Sequence, residues 1–172
     1  MVEVAERRPP LAGHRFANAA VTLTPAEPTG RTVVRGGATA AGEALGFGLP
    51  TKVGRSSEKS GVTALMLGPD EWLVVGAARN HDADGFVTVD VSHRNTAVLV
   101  SGEGAEATLN AGCPRDLSER AFPVGACART VLGKAEVVLL RTGADSFRVE
   151  CWRSFSPYVW AFLEDAAADS ML

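Results

Sequence analysis

The sequence of 172 residues predicts an α+β fold with mainly antiparallel sheets and helices packed on one face. Short β-prone runs outnumber helical runs along the chain. Two pairs of these runs are joined by tight turns, which excludes parallel crossovers because those need a dozen or more residues. The chain also ends in an amphipathic helix that would cover a sheet.

The composition is that of an ordinary globular protein, with 46% hydrophobic and 22% charged residues. A net charge of −3 argues against a nucleic-acid protein, which usually carries a basic surface. No apolar run approaches the roughly 20 residues of a membrane-spanning helix, and the start MVEVAERRPP is charged where a signal peptide would be apolar. We therefore expect a cytoplasmic protein without nucleic-acid or membrane partners.

Residues 1–20 are predicted to form an N-terminal arm, and residues 21–172 a single domain. The first segment mixes charges with Pro9, Pro10 and Gly13 and shows no sustained apolar period. Such an arm often lies against a partner, so we expect it to contribute partner contacts.

The domain is predicted to begin with two short strands, a helix and a polar loop. The strands cover residues 21–24 and 31–35, and the helix covers residues 38–45 before three nearby Gly and Pro residues end it. Residues 51–61 (TKVGRSSEKSG) are polar and bounded by glycine, which is typical of a surface loop.

Two predicted hairpins share one pattern. Residues 62–67 and 72–75 are joined by GPDE, and residues 136–141 and 147–151 are joined by TGADS. Each hairpin has an apolar strand, a turn with Gly and Asp, and an aromatic residue that opens the return strand. The repetition hints at two structurally similar halves.

Three further strands and a short helix complete the region between and beside the hairpins. The predicted strands cover residues 86–91, 97–101 and 128–132. The helix covers residues 103–111, with Ser101 as its cap and a glycine after its last residue.

The last helix has the clearest local signature. Ser156 is predicted to cap it, Pro157 fits the first helical position, and Phe155 and Trp160 occupy the two positions of a hydrophobic staple. The helix should cover a sheet with one apolar face, which consists of Val159, Phe162, Leu163 and Ala166.

The search for a metal, nucleotide or thiol site finds no supporting motif. The three histidines are widely separated, and no CxxC, HExxH or complete Gly-rich phosphate motif occurs. Cys113, Cys127 and Cys151 are interpreted as buried, reduced thiols. We predict no metal-binding and no cofactor-binding residue in this chain.

General acid–base chemistry has one candidate. Asp90 is followed by Ser92 and His93, which admits a catalytic Asp–His unit, but a carboxylate bonded to the backbone of a turn is the favoured account. Asp116 and Glu150 are not paired with a partner by any spacing. We therefore predict no catalytic residue.

A cluster of aromatic residues near the C-terminus is the candidate interaction site. Trp152, Arg153 and Tyr158 are predicted to face a partner, because Trp, Tyr and Arg are enriched at the energetic centres of interfaces. Phe155 and Phe162 are predicted to point inward. A purely structural role in the core is the alternative for the whole cluster.

The segments FPVGACARTVLGKAEVVLLRTGADSF and ECWRSFSPYVWAFLEDAA are similar to the gamma subunit family of heterotetrameric sarcosine oxidase. The likeness is strongest over residues 121–166, and the segments GPDEW and DVSHR extend it upstream, so that it covers about residues 62–168. The segment DVSHRNTAVLVSGEGAEATLN also resembles the folate-binding aminomethyltransferase fold. RNT replaces the glycine and methionine of that pattern, so the second resemblance implies the fold and not a folate pocket.

The first resemblance implies a place in an assembly of four different subunits. That assembly oxidises sarcosine to glycine, forms hydrogen peroxide and passes a one-carbon unit to tetrahydrofolate. By this resemblance FAD, FMN, NAD and the tetrahydrofolate site belong to the alpha and beta subunits, and zinc to the delta subunit. The chain itself would be a non-catalytic structural subunit that docks mainly on alpha.

Two alternatives of other kinds stay open from the sequence. One is a free-standing folate-binding or one-carbon transfer protein. The other is an interaction module of a different amine-oxidising complex, because relatives of this family could serve different N-methyl amino acids.

Overall fold

The computed structural model describes residues 8–77 and 81–169. Within these ranges the chain forms twelve strands and three α-helices, with one 3₁₀ turn at Arg153–Phe155 before the last helix. In chain order the elements are β1 (Phe16–Ala17), β2 (Thr22–Pro25), β3 (Arg31–Gly36), α1 (Ala38–Leu45), β4 (Ser56–Lys59), β5 (Val62–Gly68), β6 (Glu71–Val75), β7 (His81–Ala83), β8 (Phe86–Asp90), β9 (Asn95–Ser101), α2 (Ala105–Asn110), β10 (Cys127–Leu132), β11 (Ala135–Gly143), β12 (Ser146–Trp152) and α3 (Ser156–Asp169).

The strands form two six-stranded sheets. Within each sheet, every pair of neighbouring strands is antiparallel. Sheet A has the order β1-β2-β9-β12-β11-β10, and sheet B has the order β4-β5-β6-β3-β8-β7. Both predicted hairpins are present, β5–β6 in sheet B and β11–β12 in sheet A, each with a register shift just before its turn.

The sheets pack face to face and carry helices on their outer faces. Leu65 and Leu73 of sheet B meet Val138 and Leu140 of sheet A in the core between the sheets. Helices α2 and α3 cover the other face of sheet A, and α1 with the loop after it covers the other face of sheet B. Each sheet therefore has helices on one face only, which confirms the predicted α+β class.

The chain follows the same path in both sheets, and each half contributes one strand to the sheet of the other half. In sheet B the path β3-α1-β4-β5-β6 returns its last strand to pair with its first, and β9-α2-β10-β11-β12 does the same in sheet A. The strand that precedes each path pairs with the first strand of the other path, so β2 joins β9 and β8 joins β3. This topology confirms the similarity of two halves and interlocks them.

Residues 8–20 pack onto sheet A and its helices. Leu11 is buried, Phe16 and Ala20 pack against the same core, and the Asn18 side chain donates a hydrogen bond to the carbonyl oxygen of Ala167 at 2.9 Å. The remainder of the predicted arm, residues 1–7, lies outside the described residues. The described part of the arm therefore belongs to the folded core.

Several local predictions are wrong, among them the cap of α2, because that helix starts after Gly104 and no side chain caps it. Residues 56–59 of the predicted loop form β4, which needs no apolar side chains because it is an edge strand held by backbone bonds to β5. Ser156 does not cap α3 by accepting a backbone N–H; its hydroxyl instead donates to the carbonyl oxygen of Arg153 at 2.8 Å. The 3₁₀ turn has already started the helical path, so the capping position moves upstream of Ser156.

Candidate partner-binding surface

Trp152 lies exposed at the end of β12. Along this strand Phe147, Val149 and Cys151 point into the core under α2 and α3, while Glu150 and Trp152 point the other way. Glu150 is covered by sheet B, but Trp152 keeps 43% of its surface exposed. An indole exposed to this extent is available for contact with another protein.

Phe155 extends the exposed apolar area, which corrects the prediction that it points inward. Its ring centroid lies 6.2 Å from that of Trp152, and 43% of the residue is exposed. The 3₁₀ turn has about three residues per turn, so Phe155 does not keep the α-helical phase that a staple with Trp160 requires. Trp160 is buried and packs instead against His14.

Two arginines frame the aromatic pair. The Arg94 guanidinium lies 5.7 Å from the centroid of the Trp152 ring, a cation–π distance. The backbone N–H of Arg153 donates to the carbonyl oxygen of Arg94 at 2.7 Å, and its guanidinium donates to the carbonyl oxygen of Arg8 at 2.8 Å. Sequence reasoning missed Arg94, because its position depends on the pairing of Asn95 with Trp152 across the sheet.

Tyr158 lies on α3 over the turn between β10 and β11. Its hydroxyl accepts a hydrogen bond from the backbone N–H of Lys134 at 3.0 Å, and its ring lies 6.3 Å from that of Phe162. The residue is 39% exposed. Because Val137 of β11 pairs with Cys151 of β12, Tyr158 and Trp152 lie at the same end of sheet A. We call the surface formed by Arg94, Trp152, Arg153, Phe155 and Tyr158 the aromatic rim.

Asp90 holds a turn. Its carboxylate accepts a hydrogen bond from the Ser92 hydroxyl and another from the Ser92 backbone N–H at 2.8 Å. These two bonds lower the pKa of Asp90, and the nearby His93 lowers it further. The favoured account of Asp90 as a carboxylate bonded to a turn backbone is confirmed.

The three thiols are buried, and the described residues hold no cluster of metal ligands. All three cysteines are buried, as predicted, and burial raises the pKa of Cys127 to about 11 and that of Cys151 to about 12. Over residues 8–77 and 81–169, no three His, Cys, Asp or Glu side chains gather as metal ligands. Within the same residues, no helix combines the length and apolar character needed to cross a membrane.

Comparison with known proteins gives consistent relatives for most of the chain. The model of the "Sarcosine oxidase, gamma subunit family" matches residues 30–169. The chain is 34% identical over 145 residues to the sarcosine oxidase subunit gamma of Corynebacterium sp. (strain P-1), which covers 78% of this chain and 71% of that one. It is 33% identical over 136 residues to the sarcosine oxidase subunit gamma of Arthrobacter sp. This match covers 73% of this chain and 67% of that one.

Two solved structures share the fold. A chain of the heterotetrameric sarcosine oxidase from Corynebacterium sp. U-96, in complex with pyrrole 2-carboxylate, superposes with a TM-score of 0.86 at 28% identity and covers 96% of this chain and 97% of that one. The glycine cleavage system aminomethyltransferase T from Bartonella henselae superposes with a TM-score of 0.56 at 17% identity. This match covers 84% of this chain and 45% of that one. The second match shows a common fold, as the resemblance to aminomethyltransferases implied.

Proposed function

Because this chain belongs to the sarcosine oxidase gamma subunit family, we propose that it is a non-catalytic structural subunit of a heterotetrameric sarcosine oxidase. In this proposal the complex oxidises sarcosine to glycine in the cytoplasm, forms hydrogen peroxide and transfers the one-carbon unit to tetrahydrofolate. The alpha and beta subunits hold FAD, FMN, NAD and tetrahydrofolate, and the delta subunit holds zinc.

The observation that carries this proposal is the superposition of nearly the whole chain on a subunit of a solved heterotetramer. A subunit that serves assembly needs a stable fold and an outward surface, and it needs no reacting groups. Cys127, Cys151 and Asp90 fit this role, because buried thiols of high pKa are poor nucleophiles and Asp90 is engaged in its turn.

We place the main contact with the alpha subunit on the aromatic rim. Trp152, Phe155 and Tyr158 are the three exposed aromatic residues among the large exposed apolar side chains of the described chain. They lie at one end of sheet A beside Arg94 and Arg153, and interfaces concentrate their binding energy in such Trp, Tyr and Arg side chains. Residues 8–20, the described part of the predicted arm, adjoin this end through the bond between Arg153 and Arg8.

Co-expression with the candidate alpha, beta and delta chains tests the proposal. Size-exclusion chromatography with mass spectrometry should show this chain eluting with the flavin-bearing subunits, and its omission should abolish assembly or sarcosine-dependent peroxide formation. A solitary monomer that the oxidase does not require, and that binds tetrahydrofolate tightly, would contradict the proposal in favour of a free-standing folate-binding protein.

The contribution of the N-terminal segment needs a graded truncation. Removal of residues 1–20 also removes Leu11 and β1 from the sheet A core, so a loss of assembly could reflect unfolding. Removal of residues 1–7 leaves the described core intact. An unchanged complex with the shorter truncation would exclude residues 1–7 from the interface.

A further inference from the structure

A cleft of ≈ 490 Å³ opens beside the aromatic rim. Its lining includes Arg8, Pro9, Pro28, His93 and Arg153. Its volume falls in the range of about 300–1,000 Å³ that is common for ligand-binding clefts. Building on the proposed function, we propose that this cleft binds an acidic, extended segment of a partner subunit, with a carboxylate of that segment between Arg8 and Arg153.

Backbone hydrogen bonds hold three arginines at this end of the molecule. The backbone N–H of Arg153 donates a hydrogen bond to the carbonyl oxygen of Arg94. The guanidinium of Arg153 donates a hydrogen bond to the carbonyl oxygen of Arg8. Over the part of the chain that the structure describes, none of these three guanidinium groups forms an ion pair with a carboxylate. By contrast Arg35 and Arg129, at the nearby edge between the sheets, both pair with Glu71.

Among the described residues, the charges that face the cleft leave an excess of cations. Arg31 lines it, but its guanidinium is already paired with Glu150 at 2.7 Å. Asp90 is the carboxylate in the lining, and both of its hydrogen bonds from Ser92 support the turn. His93 also faces the cleft. Arg8 and Arg153 therefore outnumber Asp90, and an anionic occupant would relieve the repulsion between them.

The walls favour a polypeptide over a small anion. Pro9, Pro10 and Pro28 line one part of the cleft and present rigid apolar surface without backbone N–H groups. Asn95 lines both this cleft and a small pocket that Trp152 also lines, so the cleft lies close to Trp152. A partner segment could thus place an apolar side chain on the aromatic rim and a carboxylate on the arginines, which is the pairing of hydrophobic core and charged edge seen at interfaces.

Charge reversal in the intact complex tests this inference. Arg8→Glu with Arg153→Glu should weaken binding to the complex of the other subunits about tenfold or more, and the loss should shrink as ionic strength rises. Arg8→Lys with Arg153→Lys keeps the charge and should stay within about fivefold of the wild type. The matched control is Arg115→Glu with Arg120→Glu, two exposed arginines near the opposite end of β11, and it should leave the affinity unchanged.

The outcomes separate this inference from the proposed function. Failure of the wild-type chain to assemble would overturn both. Assembly of the wild type, with the same affinity for the glutamate pair, would overturn the inference and leave the structural-subunit role standing. A lysine pair as weak as the glutamate pair would exclude charge as the cause. A homodimer of the isolated chain that the glutamate pair abolishes would assign the cleft to a second copy of this chain and overturn the inference.

Discussion

Arg31 and Glu150 form a buried ion pair that joins the two sheets. The Arg31 Nε atom lies 2.7 Å from the Glu150 Oε2 atom, and the two side chains are 3% and 1% exposed. Arg148 reaches the other carboxylate oxygen at 2.8 Å. One buried carboxylate therefore binds two guanidinium groups, that of Arg31 from β3 of sheet B and that of Arg148 from its own strand β12.

Glu150→Gln is expected to lower the free energy of unfolding by roughly 3–5 kcal/mol. The substitution keeps the shape of the side chain but leaves a buried guanidinium without its counter-charge. Urea unfolding measures the loss. Glu136→Gln is the matched control, because Glu136 is 56% exposed and should change stability by less than about 0.5 kcal/mol. Equal effects of the two substitutions would contradict the role assigned to Glu150.

Glu71 should make stability depend on acid pH. The hydrogen bond from Arg129 lowers the pKa of Glu71 below its ordinary value of 4.5, although partial burial acts in the opposite direction. A lowered native pKa means that the ionised group stabilises the fold above pH 4.5, and this stability is lost as pH falls through the native pKa.

The comparison of wild type with Glu71→Gln isolates this contribution, because Asp90 and Asp116 also have lowered pKa values and titrate in both proteins. The variant should be less stable at neutral pH, and the two free energies of unfolding should converge as the pH falls below 4.5. A difference that stays constant with pH would assign the effect of the substitution to packing.

Short-range signals account for most of the elements that the sequence predicts. The GPDE turn fixes the β5–β6 hairpin within a dozen residues, and the predicted helix at residues 38–45 has the observed bounds. The sequence does not predict which strands share a sheet, because β2 and β8 each pair with a strand from the other half of the chain. The same holds for Arg31 and Glu150, which are 119 residues apart in the chain.

The aromatic cluster was predicted only in part for a similar reason. Composition identifies Trp152 and Tyr158 as unusual, and both are exposed. The inward or outward direction of Phe155 depends on how the chain leaves β12. A 3₁₀ turn of three residues leaves Phe155 exposed instead of packed against Trp160, and no residue type in RSF demands that turn over an α-helical one.

Gly102→Ala tests the junction between β9 and α2. Gly102 has φ +113°, and a Cβ atom there would collide with the carbonyl oxygen of Ala20. We expect a loss of about 3 kcal/mol or more in the free energy of unfolding, from backbone strain and from displacement of the Ala20 segment. Gly85→Ala is the control, since Gly85 has φ +89° with open space around the added atom and should lose about 1 kcal/mol. Similar losses at both positions would show that the collision is relieved.

Trp152→Ala should separate assembly from folding. The residue is 43% exposed, so its removal should change the free energy of unfolding of the chain by less than about 1 kcal/mol. If the aromatic rim is the main contact, the same change should weaken assembly by about 2 kcal/mol or more. Val124→Ala, at a residue 51% exposed near the other end of β11, is the control for assembly. If the Trp152 variant binds the other subunits as tightly as the wild type does, the main contact does not involve the aromatic rim.

Thiol labelling tests whether the cysteines are unreactive in the folded protein. Relative to a free thiol of pKa 9.0, a pKa of about 11 for Cys127 and about 12 for Cys151 lowers the thiolate fraction near neutral pH about a hundredfold and a thousandfold. In a Cys113→Ala variant, Ellman's reagent should therefore react with the native protein only as fast as it unfolds, and with both thiols at once in denaturant. Rapid labelling of one thiol in the native state would identify a reactive cysteine, and it would contradict the purely structural role assigned to this chain.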